Sequence, residues 1–501
     1  MKRIFLLLIA FSHPFCILPS CQAQQAEVGF DDLEALIGSG LEDGMGVTSA
    51  QVESPSQNAD GSLAYMPNSA SSQFSNTIFF DATGTNSGSI AHASNVGFRM
   101  YGRLGMANGL GRAANPINSY EVNDFLNSIL LNGGGDPASF DIDIANHSYV
   151  FYQDEVEFSD GLTLSLLRRF DFVADQNETS MFVGVNNGSA SALPEFFSNS
   201  YNSISVGRSD GGHSFGPTTS VYGPGRTKPD IVAPDTRTSF STPMVAAAAA
   251  ILHQAGTGTD ANKTETIRAL LLAGATKDEF PTWDRTVTRP IDDRFGAGEL
   301  NIYNSYMSLQ GGEFNGTAGD PAAPVALNGW DYETEIVSGN DLFYEFEVSN
   351  GTKLDELSIA LCWNMEINDL NNSPSIFSSS ENLGDLNLDF YDSSGSFLGS
   401  LLDESKSSVD NVEHIYLQDL PEGTYHLKVS SDTNRDFGLA WRSTSSNLLL
   451  GDVNQDGTVS FLDLAPFITL LLTGNYQFQA DTNGDGQLSF FDIAGFLSLL
   501  T

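Results

Sequence analysis

Residues 238–253, Thr-Ser-Phe-Ser-Thr-Pro-Met-Val-Ala-Ala-Ala-Ala-Ala-Ile-Leu-His, constrain the fold more than any other stretch. The small residues Ala246 to Ala250 let a helix pack closely in the centre of a domain. Ser239 enters that helix just ahead of Thr242-Pro243, at an N-terminus where an oxyanion can be stabilised. A serine that merely caps a core helix would share this context. Around the helix, from about 46 to 310, short apolar strands alternate with helical stretches, for example at 47–52, 140–145, 162–172, 180–185 and 244–253. That alternation predicts an α/β domain with a parallel sheet.

The rest of the chain divides by composition. Residues 1–23 read as a secretory signal peptide: Lys2 and Arg3, a short apolar run, then Cys21-Gln22-Ala23. A lipid anchor at Cys21 is the rival reading. No later stretch has the 18 uninterrupted apolar residues that a membrane span needs. The α/β domain occupies 24–312, and 313–325, rich in Gly, Pro and Ala, reads as a linker. Residues 326–447 alternate polar and apolar positions, as at 342–348, 386–391 and 425–429, which predicts an antiparallel β-sandwich. Trp330 and Trp363 are expected in its core, and Asp385 and Asp389 on a half-solvated strand. Residues 448–501 form a third unit. Lys plus Arg number 22 against 63 Asp plus Glu, a formal charge of −41. A chain so acidic is a poor ligand for nucleic acid. Cys362 alone follows the leader region, so no internal disulfide is expected in the mature chain.

The third unit contains a duplicated loop. Asp452, Asn454, Asp456, Thr458, Ser460 and Asp463 recur 29 residues later as Asp481, Asn483, Asp485, Gln487, Ser489 and Asp492. Gly457 and Gly486 stand at the sixth position of each loop. Hard oxygen ligands at positions 1, 3, 5, 7, 9 and 12 with a turn glycine at 6 suit Ca2+. Each loop runs into an apolar helix, 464–472 and 493–500. The unit resembles a type I dockerin, a resemblance that implies two bound Ca2+ ions and a cohesin-like protein partner. The pair at positions 10 and 11, often polar in that family, is here Phe461-Leu462 and Phe490-Phe491.

Thr238-Ser239-Phe240-Ser241-Thr242-Pro243, preceded by Lys228-Pro229-Asp230-Ile231-Val232-Ala233-Pro234, resembles the nucleophile region of subtilisin-like serine peptidases. The resemblance implies an acid–His–Ser order along the chain. His92-Ala93-Ser94-Asn95-Val96-Gly97 resembles the family's base segment, with His147, His213 and His253 as alternatives. The strand 46–54 resembles the family's first strand and puts Glu53 where an aspartate is usual, with Asp60 and Asp81 as rival acids. Met181 to Gly188 resembles the oxyanion segment and implies Asn186 as the side-chain donor. Residues 146–149 resemble the edge that binds extended peptide, and 295–301 the end of the catalytic domain. The sandwich resembles the pre-peptidase C-terminal-like domains of secreted bacterial peptidases.

The fold class is therefore α/β: a subtilisin-like parallel sheet flanked by helices, then a β-sandwich and a small helical calcium-loop domain. The expected function is a secreted serine endopeptidase acting on polypeptides, with Ser239, His92, Glu53 and Asn186 as its machinery. The calcium unit would tether it to an assembly. A second class stays open: an inactive subtilisin-fold binding or scaffold protein, suggested by Arg237, Asn95 and Glu53 at positions where the family carries other residues.

Overall fold

The computed structural model describes residues 19–112, 114–150, 159–194, 196–371, 376–393 and 397–500. Residues 1–18 of the expected leader and the side chain of Cys21 lie outside the described residues. Seven strands form the main sheet: β1 (Ser49–Glu53), β2 (Phe79–Asp81), β3 (Ile117–Glu121), β4 (Ile144–His147), β5 (Ser180–Gly184), β6 (Ser203–Arg208) and β7 (Ile231–Ala233). Their order is β7-β6-β5-β4-β1-β3-β2, and each neighbouring pair is parallel. All five residues of β1 are buried, as a strand covered on both faces must be.

Helices cover both faces. Helix α1 (Ala91–Met100) and the long α3 (Thr238–Ala255) lie on one face, and α2 (Asp160–Gln176) lies on the other. Ala246 to Ala250 are fully buried, which lets α3 contact β4, β5, β6, β7 and α1 at once. Along β1, successive side chains take opposite faces. Ala50 and Val52 join the apolar cluster with α2, while Gln51 and Glu53 meet α1. The chain departs from β1 to β2 and β3 on one side and to β4 on the other. Glu53 therefore ends the strand at the point where sheet order reverses, where open parallel sheets place their ligand crevice.

The sandwich follows, in two layers, antiparallel except for the edge strand Ala323–Val325, that bury Trp363, Trp441, Phe346 and Phe390 between them. Trp330 and Trp363 are core residues, their indole N–H groups donating to Leu309 O and Leu383 O. Asp389 is buried against Lys406 and Lys428. The stretch expected as a linker is part of this unit. The Phe314 N–H donates to Trp330 O and the Trp330 N–H to Gly312 O, Thr317 pairs with Phe343, and Ala323–Val325 lies parallel to Asp341–Val348. Gly and Pro mark turns there, and the turns are built into a sheet.

The two large units share a core. Helix α4 (Thr264–Gly274) is buried at every residue, packed against sandwich strands Gly329–Ile336, Thr352–Cys362 and Arg435–Asn447. Trp330, Tyr332, Ala360, Cys362, Val412 and Ala440 of the sandwich belong to the same apolar cluster as α3 and α4. A Cβ on Gly438 would stand 2.4 Å from the Glu265 carbonyl carbon, so only glycine allows this approach. Arg442 crosses the junction to Ala273 O and Ala275 O while paired with Glu356. Burying a large apolar side chain contributes about 1.5–3 kcal/mol, and several are lost together if the sandwich is removed. Their sum rivals a net stability of about 5–15 kcal/mol. A chain ending at residue 325 is expected to show no cooperative thermal transition, and one ending at 447 to keep it. Circular dichroism melts of the two truncations check this.

Candidate active site and calcium-loop repeat

His92 is the second residue of α1, and its Nδ1 lies 2.8 Å from Glu53 Oε2. Glu53 is 1% exposed. A carboxylate only accepts, so Nδ1 carries the proton and Nε2 is left as a base. The other carboxylate oxygen accepts Gln51 Nε2 at 2.7 Å, and the same amide reaches Ala93 O at 3.0 Å. The Tyr101 hydroxyl donates to Gln51 Oε1. Burial first, and then the Glu53 charge, push the Tyr101 phenol well above its usual range. Gln51 and Tyr101 escaped the sequence reading. The signal for Gln51 was a polar residue two positions before Glu53, on the same face of a buried strand.

Ser239 stands in the first turn of α3. Ser241 Oγ donates to Ala233 O at 2.8 Å, anchoring that turn to the end of β7, and Thr242 Oγ1 donates back to Thr238 O within the helix at 2.7 Å. The next ring, Phe240, lies 5.9 Å from the His92 ring at 32°, so the base helix faces the serine's turn. Arg237 takes φ −148° and ψ 145°, ordinary extended backbone that needs no glycine. Asn95 donates to Ala91 O and is confined to its own helix.

The oxyanion expectation needs correction. Asn186 is buried, and its side-chain amide donates to Ala192 O at 2.9 Å. Asn187 is exposed, and its Oδ1 accepts the Thr238 N–H at 3.0 Å, one residue from Ser239. The sequence resemblance implied Asn186, and its neighbour Asn187 is the one that reaches the serine's turn. The turn after β5 decides which of them meets α3.

The alternative bases are elsewhere. His147 is fully buried beside Phe125, Phe170 and Phe197, with Nδ1 on the Tyr149 hydroxyl, and burial pushes its pKa down to about 3. His213 donates from Nε2 to Arg294 O and accepts the Arg208 N–H at Nδ1; burial lowers it to about 4. His253 lies near the far end of α3, 3.6 Å from Asp143. Of the rival acids, Asp60 bonds Ser62 in an exposed turn, and Asp81 bonds Tyr65 and the amides of Gly84 and Asn86.

The duplicated loops are built alike. Asp452 Oδ2 accepts Gly457 N at 2.8 Å, and Asp481 Oδ2 accepts Gly486 N at 2.8 Å. Asp463 accepts the amides of Asn454 and Ser460, and Asp492 those of Asn483 and Ser489. These four carboxylates are at most 5% exposed. Among the described residues no group of three or more His, Cys, Asp or Glu gathers as a metal cluster. The loops instead mix carboxylates with Asn, Ser, Thr and Gln, the hard oxygen set that suits Ca2+. Four buried carboxylates in two short loops are costly without a cation, so the donor set fits the ion. The following helices, Leu464–Thr473 and Asp492–Leu499, close on one another through stacked Phe467 and Phe496.

Residues 67–298 match the model of the subtilase family, and residues 450–495 match the type I dockerin domain. The first match holds His92, Asn186, Asn187 and Ser239 but starts after Glu53. Among solved structures the chain is similar to the prenylagaramide maturation protease PagA, at 14% identity and TM-score 0.32, covering 58% of this chain and 98% of that one. It is also similar to a protease from Pseudoalteromonas arctica, at 13% identity and TM-score 0.34, covering 54% of this chain and 91% of that one. No curated protein matches. Chelation of calcium is expected to unfold 450–495, lowering helicity and opening that segment to proteolysis. Unchanged circular dichroism and protease resistance after chelation would contradict this.

Proposed function

The chain carries a subtilase domain and a type I dockerin domain, and we propose that it is a secreted serine endopeptidase working through Ser239, His92 and Glu53. The observation that carries the reading is the 2.8 Å bond between His92 and the buried Glu53, on a helix that faces the turn of Ser239. Glutamate, one methylene longer than the usual aspartate, still reaches Nδ1 from the end of β1. Its buried charge stabilises the imidazolium that forms when His92 takes the serine proton.

The reaction then runs in two halves. Ser239 Oγ attacks the scissile carbonyl as its proton passes to His92 Nε2. The carbonyl becomes a tetrahedral oxyanion. The Ser239 backbone N–H has no intrahelical acceptor at its place in the first turn, and it points a donor at that charge. Asn187 supplies the second donor: its oxygen is held by Thr238, which leaves the NH2 group for the substrate. His92 returns the proton to the leaving amine, the peptide bond breaks, and an acyl-enzyme remains. Water, deprotonated by the same imidazole, releases the acid and restores Ser239.

The dockerin domain would hold calcium through the two loops and dock a cohesin-like partner. Its exposed Phe461, Leu462, Phe490 and Phe491 offer an apolar contact at the same place in both repeats.

Hydrolysis of a denatured protein substrate by the chain and by Ser239→Ala tests the reading, with turnover lost in the variant. Equal turnover in the variant would remove Ser239 as the nucleophile, and none in a folded calcium-loaded chain would return the non-catalytic binding protein. Glu53→Gln is expected to lower kcat by about 10⁴-fold. Asn187→Ala should lower kcat by roughly 10²–10³-fold. Asn186→Ala should leave kcat within a fewfold and cost about 1 kcal/mol of stability, read from thermal melts.

A further inference from the structure

The base and the nucleophile sit on different helices, and their alignment depends on what ties those helices together. We propose that Arg99 is a positioning residue that locks the turn of Ser239 onto the helix of His92. The inference rests on the peptidase reading above. Arg99 follows His92 by seven residues, two turns of α1, so both lie on one helix face. Its Nε is 2.5 Å from Asp235 Oδ2, an ion pair with both side chains buried. Its guanidinium lies 4.1 Å over the Phe240 ring, and that ring in turn faces His92. One side chain thus holds both flanks of the nucleophile, Asp235 before it and Phe240 after it.

Asp235 is fixed from further sides. Its Oδ1 accepts the Thr236 N–H at 2.5 Å, and its carbonyl accepts Arg208 Nε at 3.2 Å. Arg99 also donates to Asn95 O on its own helix. A buried ion pair adds little net stability, because desolvation offsets the attraction, but it fixes geometry through its directional bonds. The planar fork also suits the ring of Phe240, which a lysine ammonium would meet less well.

The test compares Arg99→Met, Arg99→Lys, Asp235→Asn and Phe240→Leu with the unaltered full chain. It reads kcat and KM on one peptide substrate and the rate of fluorophosphonate inactivation. Glu356→Gln, which breaks a buried pair at the distant junction, serves as a stability control. A misplacement of about 1 Å lowers rate by the order of 10²-fold. Arg99→Met and Asp235→Asn are therefore expected to lose roughly 10–10²-fold in kcat and inactivation rate, with KM within about threefold. Arg99→Lys should recover part of the loss, and Glu356→Gln should melt lower yet react normally. Should Arg99→Met not fold, Phe240→Leu keeps the ion pair and should still slow inactivation. Folded variants that react at the unaltered rate would overturn the proposal alone, as would an equal loss in Glu356→Gln. An unaltered chain that neither turns over nor labels would overturn the peptidase reading and this inference with it.

Discussion

The close contact between α3 and the sheet is the constraint on which the site depends. Five fully buried alanines let the helix axis approach the strands. A Cβ on Gly184 would lie 3.1 Å from Thr242 Oγ1, so even one added methyl would press on the turn of Ser239. The place of Ser239 is thus set by packing between regular elements, the kind of rigid support that holds groups in register. The polar residues of β1 face α1, on the same side of the sheet as α3, and Gln51 and Glu53 reach His92 through a buried layer.

The sandwich works as a wall of the peptidase domain. A chain with few cations places several of them at this junction. Arg442 and Arg268 bond across it to carbonyl and amide oxygens, and Arg285 pairs with Asp403. Lys277 is buried between Ala275 O, Ser358 and the rings of Trp283 and Tyr416, and burial holds its ammonium well below its usual range. Directional polar bonds fix how the two units meet, and the shared apolar cluster supplies the attraction.

Much of this was legible in the sequence because periodicity reports burial. The expected strand 47–52 is found as Ser49–Glu53 and 180–185 as Ser180–Gly184, and both calcium-loop helices begin within a residue of their expected starts. The fourth strand was displaced: Phe140 and Ile142 are core residues that precede Ile144–His147, and apolar character alone does not tell a strand from a buried approach to one. Composition misjudged 313–325, since Gly and Pro report turns and say nothing of whether the turns pair. Motif letters paired Glu53 with His92, and the two side chains lie 2.8 Å apart. They pointed to Asn186, whereas Asn187 is the residue that meets Thr238, because backbone direction after β5 is a property of the packed turn. Arg99, Asp235 and Tyr101 act through tertiary contacts that no local pattern encodes.

Whether Ser239 is a nucleophile activated by the pair of His92 and Glu53 is tested most directly by mass spectrometry of the folded, calcium-loaded chain after reaction with a fluorophosphonate. A single adduct is expected, located on Ser239 and abolished when His92 is replaced by alanine. A folded chain with no adduct, or an adduct on another serine, would contradict it.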